Sequence, residues 1–372
     1  MQLADISPTR GFLPTPDPLQ HLTEVESGLP ITTIDHIEGV AGVMSELLEV
    51  DPPGLRHLME DMPSYDLSAV SDLRVLERLF ALYAYLANAY VFSEPEDPRK
   101  HLTRGIAMPF AQIAAHLGRP PIFSYSSMVL NNWRRFDPAG PINLDNTEEL
   151  LHFRSTQDEA WFSLVHVNVE AAAAPALVGI VDTLAALENQ DGAALEDALK
   201  QIAEGLHQAS HALHRMLEGC DPDVFYRMVR PYMFGFDQII FDGVDSEPKT
   251  LTGGSGAQSS VLPAVVGALG VQHEKTGLMK HLDGMKLHMP TAHRQFIADV
   301  TTDKLRDFVV ARESLHDAYN LCIHQLIIFR KAHLHQAKVY VFDKTQDTLG
   351  TGGTSYMEWL TQLIHETEAH LL

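Results

Sequence analysis

Between residues 71 and 92 the apolar positions Leu73, Leu76, Leu79, Phe80, Tyr83, Leu86, Ala87 and Tyr90 recur at steps of three and four, which predicts one continuous apolar helix face. Strand-like alternation is scarce throughout. Shorter helices are predicted over 34–50 and 54–62, punctuated by Pro52, Pro53 and Pro63. Asn146, three residues before Glu149, reads as an N-cap opening a helix through Leu150, Leu151 and Phe153. The stretch 158–189 is alanine-rich and apolar nearly all round, so other helices must enclose it, and Pro175 should kink it. The stretch 191–219 is amphipathic, with Leu195, Leu199, Ile202, Leu206, Leu213 and Leu217 inward. Asp221 and Pro222 form a cap and first-turn proline, starting a helix that Pro231 disturbs just after Arg230. Near the C-terminus Leu326, Phe329, Arg330, His333, Gln336, Ala337 and Tyr340 share one helical face.

Breakers at Pro95, Pro98, Pro109, Pro120 and Pro121 suggest a crossover between two parts. The expected organisation is a small N-terminal domain over 1–100, a linker over 101–122 and a large domain over 123–372. The first residues, with an early acid and repeated prolines, read as an extended arm with no signal-peptide run. The longest apolar stretch, 160–187, contains His166, Asn168, Glu170 and Asp182, which would be costly in hydrocarbon, so no membrane span is expected.

Composition narrows the partners. A chain of 372 residues with 45% hydrophobic content can bury a large core. Forty-nine acidic against 27 basic side chains give a net charge of -22, which repels polyanions and disfavours nucleic acid or an anionic membrane surface as partner. Two cysteines, Cys220 and Cys322, make no disulfide framework, and a reducing, cytoplasmic setting fits.

Candidate chemistry is sparse. His333 in an apolar stripe fits a metal ligand, but taken alone a satisfied core histidine is the better reading. Arg230 at a kink can be aimed into a cavity or paired on the surface. His207, His211 and His214 have a spacing that could bind zinc, but no glutamate follows the first, and a solvated face is the better reading. The glycine-rich loops at 252–260 and 349–354 lack the Gly-Lys-Ser/Thr of a phosphate loop, and Ser355 replaces the third glycine of a dinucleotide fingerprint. They read as backbone that lets a ligand approach closely.

Several pieces combine, in order, across residues 120–372: Ser124 and Tyr125 with Val129, Leu130, Asn132 and Trp133; Val169 and Glu170 before alanines; Phe225 to Arg230 with Tyr232; Gly253, Gly254 and Ser255 with Gln258, Ser259 and Ser260. Met289, Pro290, Ala292, His293 and Arg294, then His333 and Leu334, then Gly350 to Thr354, complete the set. On these motifs the chain resembles the indoleamine 2,3-dioxygenase family. The resemblance implies an all-α fold, a small N-terminal helical domain packed on a large helical domain, and haem b held between helices. It implies His333 as the iron ligand, Arg230 as the partner of a substrate carboxylate, and Thr351 near the substrate's amino group. Tyr125, Phe162 and Phe225 would line the indole pocket, with Gly254, Ser255 and Gly256 beside haem and substrate, and Arg330 on the cofactor side.

Two departures stand out. At 166 the animal members carry serine, whereas His166 looks like the distal histidine of tryptophan 2,3-dioxygenases, with Glu170 one turn later to orient its other nitrogen. Val266 stands where the family has an aspartate paired with the arginine matching Arg330, which makes a haem propionate a candidate partner for that arginine. The implied activity is insertion of O2 across the indole C2=C3 bond of L-tryptophan or a related indoleamine to give N-formylkynurenine, the first step of the kynurenine pathway, with a reductant keeping the iron ferrous. The alternatives are a haem enzyme acting on a modified tryptophan, or a non-catalytic haem-binding sensor.

Overall fold

The computed structural model describes residues 6–345 and 356–372. The fold is all-α, with helix over 63% of the chain and strand over 5%. The longer helices are α1 (Ile31–Val50), α2 (Pro52–Glu60), α3 (Leu73–Phe92), α4 (Arg104–Leu117), α5 (Gln157–Ala172), α6 (Ala174–Glu188) and α7 (Gly192–His214). After them come α8 (Val261–Ala268), α9 (Gly277–Lys286), α10 (Thr291–Val300), α11 (Lys304–Val310), α12 (His316–Ala337) and α13 (Tyr356–Glu368).

The starts follow local chemistry. Asp72 caps α3 by accepting from the Arg74 and Val75 amides, Asp191 does the same for α7 at Ala193 and Ala194, and Asp51 receives the Gly54 amide at the head of α2. From Val75 onward nearly all of α3 is buried. Helix α7 packs on both α6 and α12, α5 lies against α7, and α13 runs along α12.

The α5–α6 stretch is long and apolar enough to cross a membrane, with a mean hydropathy of 1.7 in its most apolar window, but 67% of that window is buried within the protein. The expected kink proves to be a break. Ala173 ends α5, and Pro175 sits in the first turn of α6, where its missing N–H costs nothing.

Another expectation fails. The helix predicted to open at Asn146 is absent: Thr147–Glu149 (β3) pairs antiparallel with Trp133–Arg135 (β2). The Asn146 amide is spent closing the loop between them, accepting from the Asp137 N–H at 2.8 Å and donating to the Asp137 and Pro141 carbonyls. The working cap is Thr156, whose hydroxyl accepts from the Glu159 amide and starts α5. The expected linker over 101–122 contains His101–Leu102 (β1), which pairs parallel with Phe236–Phe241 (β4), and the helix α4, packed on α3. Lys249–Leu251 (β5) completes that small sheet antiparallel to β4. Pro109 is accommodated inside α4, and Gly118 ends the helix at a φ of 63°.

The N-terminal part also braces the C-terminal part. Asn88 on α3 donates to the Tyr232 and Phe234 carbonyls at 2.7 and 3.1 Å, fixing the chain just after Arg230. Phe12 of the arm is buried against His293 and Phe296.

Candidate functional site

Two adjoining lobes of about 230 and 320 Å³ lie between α5 and α12, sharing Tyr125, His166, Leu213, Gly256 and His333 as walls. Together they fall in the size range of small-molecule and cofactor sites, and apolar side chains dominate the lining.

On α5, Phe162 and His166 are one turn apart and face the cavity together. The His166 Nδ1 lies 2.8 Å from the Phe162 carbonyl oxygen. A carbonyl only accepts, so Nδ1 carries the proton and Nε2 is left as an acceptor. Burial lowers the pKa of the ring and keeps it neutral, while the surface it retains faces the cavity. Phe162 stacks on Phe225 with centroids 4.3 Å apart, and the Tyr125 ring stands edge-on to His166 at 6.0 Å.

Glu170 does something other than orient His166. Its carboxylate accepts from the Tyr125 hydroxyl at 2.9 Å and the Ser259 hydroxyl at 2.6 Å, tying α5 to the first glycine-rich loop. Burial raises its pKa to about 6, against the opposing effect of those two donors. Gln258 completes the tether: its side-chain oxygen receives the Tyr125 amide at 2.9 Å, and its NH2 donates to the Gly253 carbonyl. Within that loop the glycines serve different ends. A Cβ at Gly253 would overlap the Met233 carbonyl and the Gly235 backbone, so this glycine permits a close chain crossing. At Gly256 a Cβ would lie 3.8 Å from His333 Nε2, which places the loop in front of that imidazole.

Three π-helical turns shape the walls. Ser126–Leu130 contributes Met128, Phe225–Val229 contributes Phe225, and Lys338–Phe342 contributes Tyr340 and Val341. In the second, the Arg230 amide bonds back five residues to the Phe225 carbonyl, so both side chains reach the cavity. Pro231 follows at once and tightens the chain into a 3₁₀ turn, Arg230–Met233. Arg230 is only 4% exposed, with its guanidinium 5.0 Å from the Tyr226 ring and 4.9 Å from the Phe234 ring.

Opposite, α12 presents His333, Gln336 and Ala337. Burial, with a smaller effect from His166, pushes the His333 pKa down to about 4. Its ring makes no hydrogen bond to any described residue, and its remaining surface faces the cavity. A neutral imidazole with a free lone pair in an apolar space is a ligand in waiting.

The family model for indoleamine 2,3-dioxygenase matches residues 2–348. The chain belongs to the indoleamine 2,3-dioxygenase family. Like the other members it is an oxidoreductase of the dioxygenase class. Indoleamine 2,3-dioxygenase 1 of Mus musculus is 34% identical over 86% of this chain and 85% of its own length. Indoleamine 2,3-dioxygenase of Saccharomyces cerevisiae is 28% identical over 98% and 92%. A 6-hydroxytryptophan 2,3-dioxygenase of Fusarium equiseti is 25% identical over 95% and 94%.

Of the residues singled out in the sequence, this member of the family brings Tyr125, Phe162, His166, Phe225, Arg230, Gly254, Ser255, Gly256 and His333 to one lobe, and Arg330 and Val266 to the other. Thr351 and the second glycine-rich loop lie outside the described residues. His207, His211 and His214 are exposed on the solvent face of α7. Sequence reasoning missed α9 and α13, which supply Leu278, His281 and Leu282, and Trp359, Leu360 and Leu363. The Trp359, Leu360 and Leu363 spacing was a helical signal that could have revealed α13 as a wall.

Proposed function

We propose that this chain is a haem-dependent dioxygenase that opens the indole ring of tryptophan to N-formylkynurenine. The observation that carries the reading is the pair of neutral imidazoles facing one apolar cavity, His333 with no hydrogen-bond partner among the described residues and His166 with its acceptor nitrogen on the cavity side. The donor set fits haem b: an unprotonated imidazole suits iron, the apolar walls suit a porphyrin, and glycine at 256 keeps a side chain out of the space before His333. When bound, the haem supplies the activation of dioxygen, and a reductant keeps its iron ferrous.

The protein's part is positioning. His333 would hold the iron. His166 Nε2 would accept the indole N–H, fixing the ring plane and supporting charge that develops on the indole nitrogen. The Arg230 fork would take the substrate carboxylate, between aromatic rings that keep water from it. Tyr125, Phe162 and Phe225 would flank the indole, and the loop at Gly254, Ser255 and Gly256 would close over it.

A second reading has the same chemistry on a hydroxylated tryptophan, favoured by the similarity to the Fusarium equiseti enzyme. The test is direct. The purified protein, supplied with haem, should show a Soret band that shifts on adding L-tryptophan, and under reducing, aerobic conditions it should form N-formylkynurenine. A Soret band without product from tryptophan or 6-hydroxytryptophan would leave a haem-binding sensor, and no Soret band at all would end the proposal.

A further inference from the structure

Arg330 lies on α12 three residues before His333, is 5% exposed, and makes no ion pair with a carboxylate among the described residues. Val266, which faces the same lobe, offers it none. A buried guanidinium without counter-charge is costly, and burial does push its pKa down, to about 10, with Glu366 opposing.

Its hydrogen bonds show how the charge is met. Nη1 donates to the Leu363 carbonyl at 2.5 Å and to the Thr367 hydroxyl, both on α13. Nη2 lies 3.1 Å from His273 Nε2. Since a guanidinium only donates, Nε2 must accept, and the ring proton is on Nδ1. That Nδ1 lies 2.5 Å from the Glu366 carboxylate, also on α13, in a pair whose side chains are 4% and 15% exposed. Glu366 is held in turn by the Gln362 NH2 at 2.6 Å, and the Gln272 amide donates to His370 Nε2 at 3.0 Å beyond the helix end.

We propose that His273 and Glu366 are positioning residues for the His333 wall: Glu366 is the counter-charge of Arg330, transmitted through a neutral imidazole, and the three-residue chain clamps α13 over the cavity. Helix α13 is itself part of that wall through Trp359, Leu360 and Leu363, so loosening it opens the space beside His333. The redox part of the inference rests on the haem reading; the clamp does not.

The full chain carrying Glu366→Gln, His273→Leu or His273→Gln tests it. Glutamine at 273 can still accept from Arg330 and donate to Glu366, whereas leucine can do neither. In the holoprotein, Glu366→Gln, which removes the counter-charge, and His273→Leu, which removes the acceptor for Arg330, should each release haem to apomyoglobin about tenfold faster, the scale of one hydrogen bond to a charged group. Glu366→Gln should also raise the midpoint potential, because Arg330 is left with an uncompensated positive charge near the iron. His273→Gln should stay near wild type in both. Without haem, hydrogen exchange of the α13 amides should accelerate in the first two variants and not in the third. If Glu366→Gln or His273→Leu matches wild type in exchange, release and potential, or if His273→Gln is as impaired as His273→Leu, the relay is overturned. A wild-type protein that binds no haem would defeat the proposed function while leaving the exchange experiment to decide the clamp.

Discussion

The two walls of the cavity hold their imidazoles in opposite ways. On α5, His166 is fully determined: a backbone carbonyl one turn earlier fixes its tautomer, and Phe162 and Tyr125 fix its plane. On α12, His333 has no hydrogen-bonding partner among the described residues, and its surroundings are determined one turn away, at Arg330. The difference separates two tasks. A ring that must read a substrate N–H has its proton placed beforehand, while a ring that must take a metal keeps a lone pair unspent, with neutrality enforced by burial.

The largest effect that could break this contrast is expected at His333. His333→Ala should abolish the Soret band in a haem titration, while circular dichroism of the apoprotein stays that of the folded chain, because the ring makes no hydrogen bond to any described residue. Retention of a stable haem complex would remove the division of labour between the walls. His166→Ala should leave haem uptake intact and lower kcat by about tenfold to a hundredfold, the worth of a hydrogen bond to a group that gains charge. His166→Gln, which can present an acceptor to the cavity, should recover part of that loss. Stopped-flow turnover with haem-loaded protein reads both, and a kcat unchanged by His166→Ala would return His166 to plain packing.

The walls also differ in how much of them could be read from the chain. The α12 face was legible because its period is regular: residues three and four apart in sequence meet in space, so helical spacing alone puts His333, Gln336 and Ala337 together. Phe162 and His166 obey the same rule on α5. What escaped was whatever departs from that period or depends on distant chain. The three π turns each shift the register by one residue, and only Pro231 betrayed any of them. Asn146 carried a cap signal, but its amide had two uses and the loop took it. The expectation that Glu170 would orient His166 rested on their spacing. It failed because a hydroxyl 45 residues away and another 89 residues away compete for the carboxylate, while the Phe162 carbonyl was already in place for the ring. Likewise the partners of Arg330 come from 273 and from α13, which no local pattern connects to it.

The smallest expected effect concerns the tether behind the α5 wall. Glu170 is buried, and its pKa rises from 4.5 to about 6, so between those values the folded state holds a proton that the unfolded chain has already released. Stability from this group is therefore fully present below pH 4.5 and falls as the pH rises through 6, by about 2 kcal/mol for a shift of this size. Other buried acids, Glu159 among them, titrate in the same direction, so the informative quantity is the difference between variant and wild type. Glu170→Gln keeps an oxygen to accept from Tyr125 and Ser259 but carries no charge. Relative to wild type it should gain about 2 kcal/mol between pH 4 and pH 7, read from urea unfolding at both ends. A difference that stays constant across that range would mean that Glu170 ionises as freely as an exposed acid, and that the Tyr125 and Ser259 hydroxyls, with the loop they anchor, stabilise its charge as well as water does.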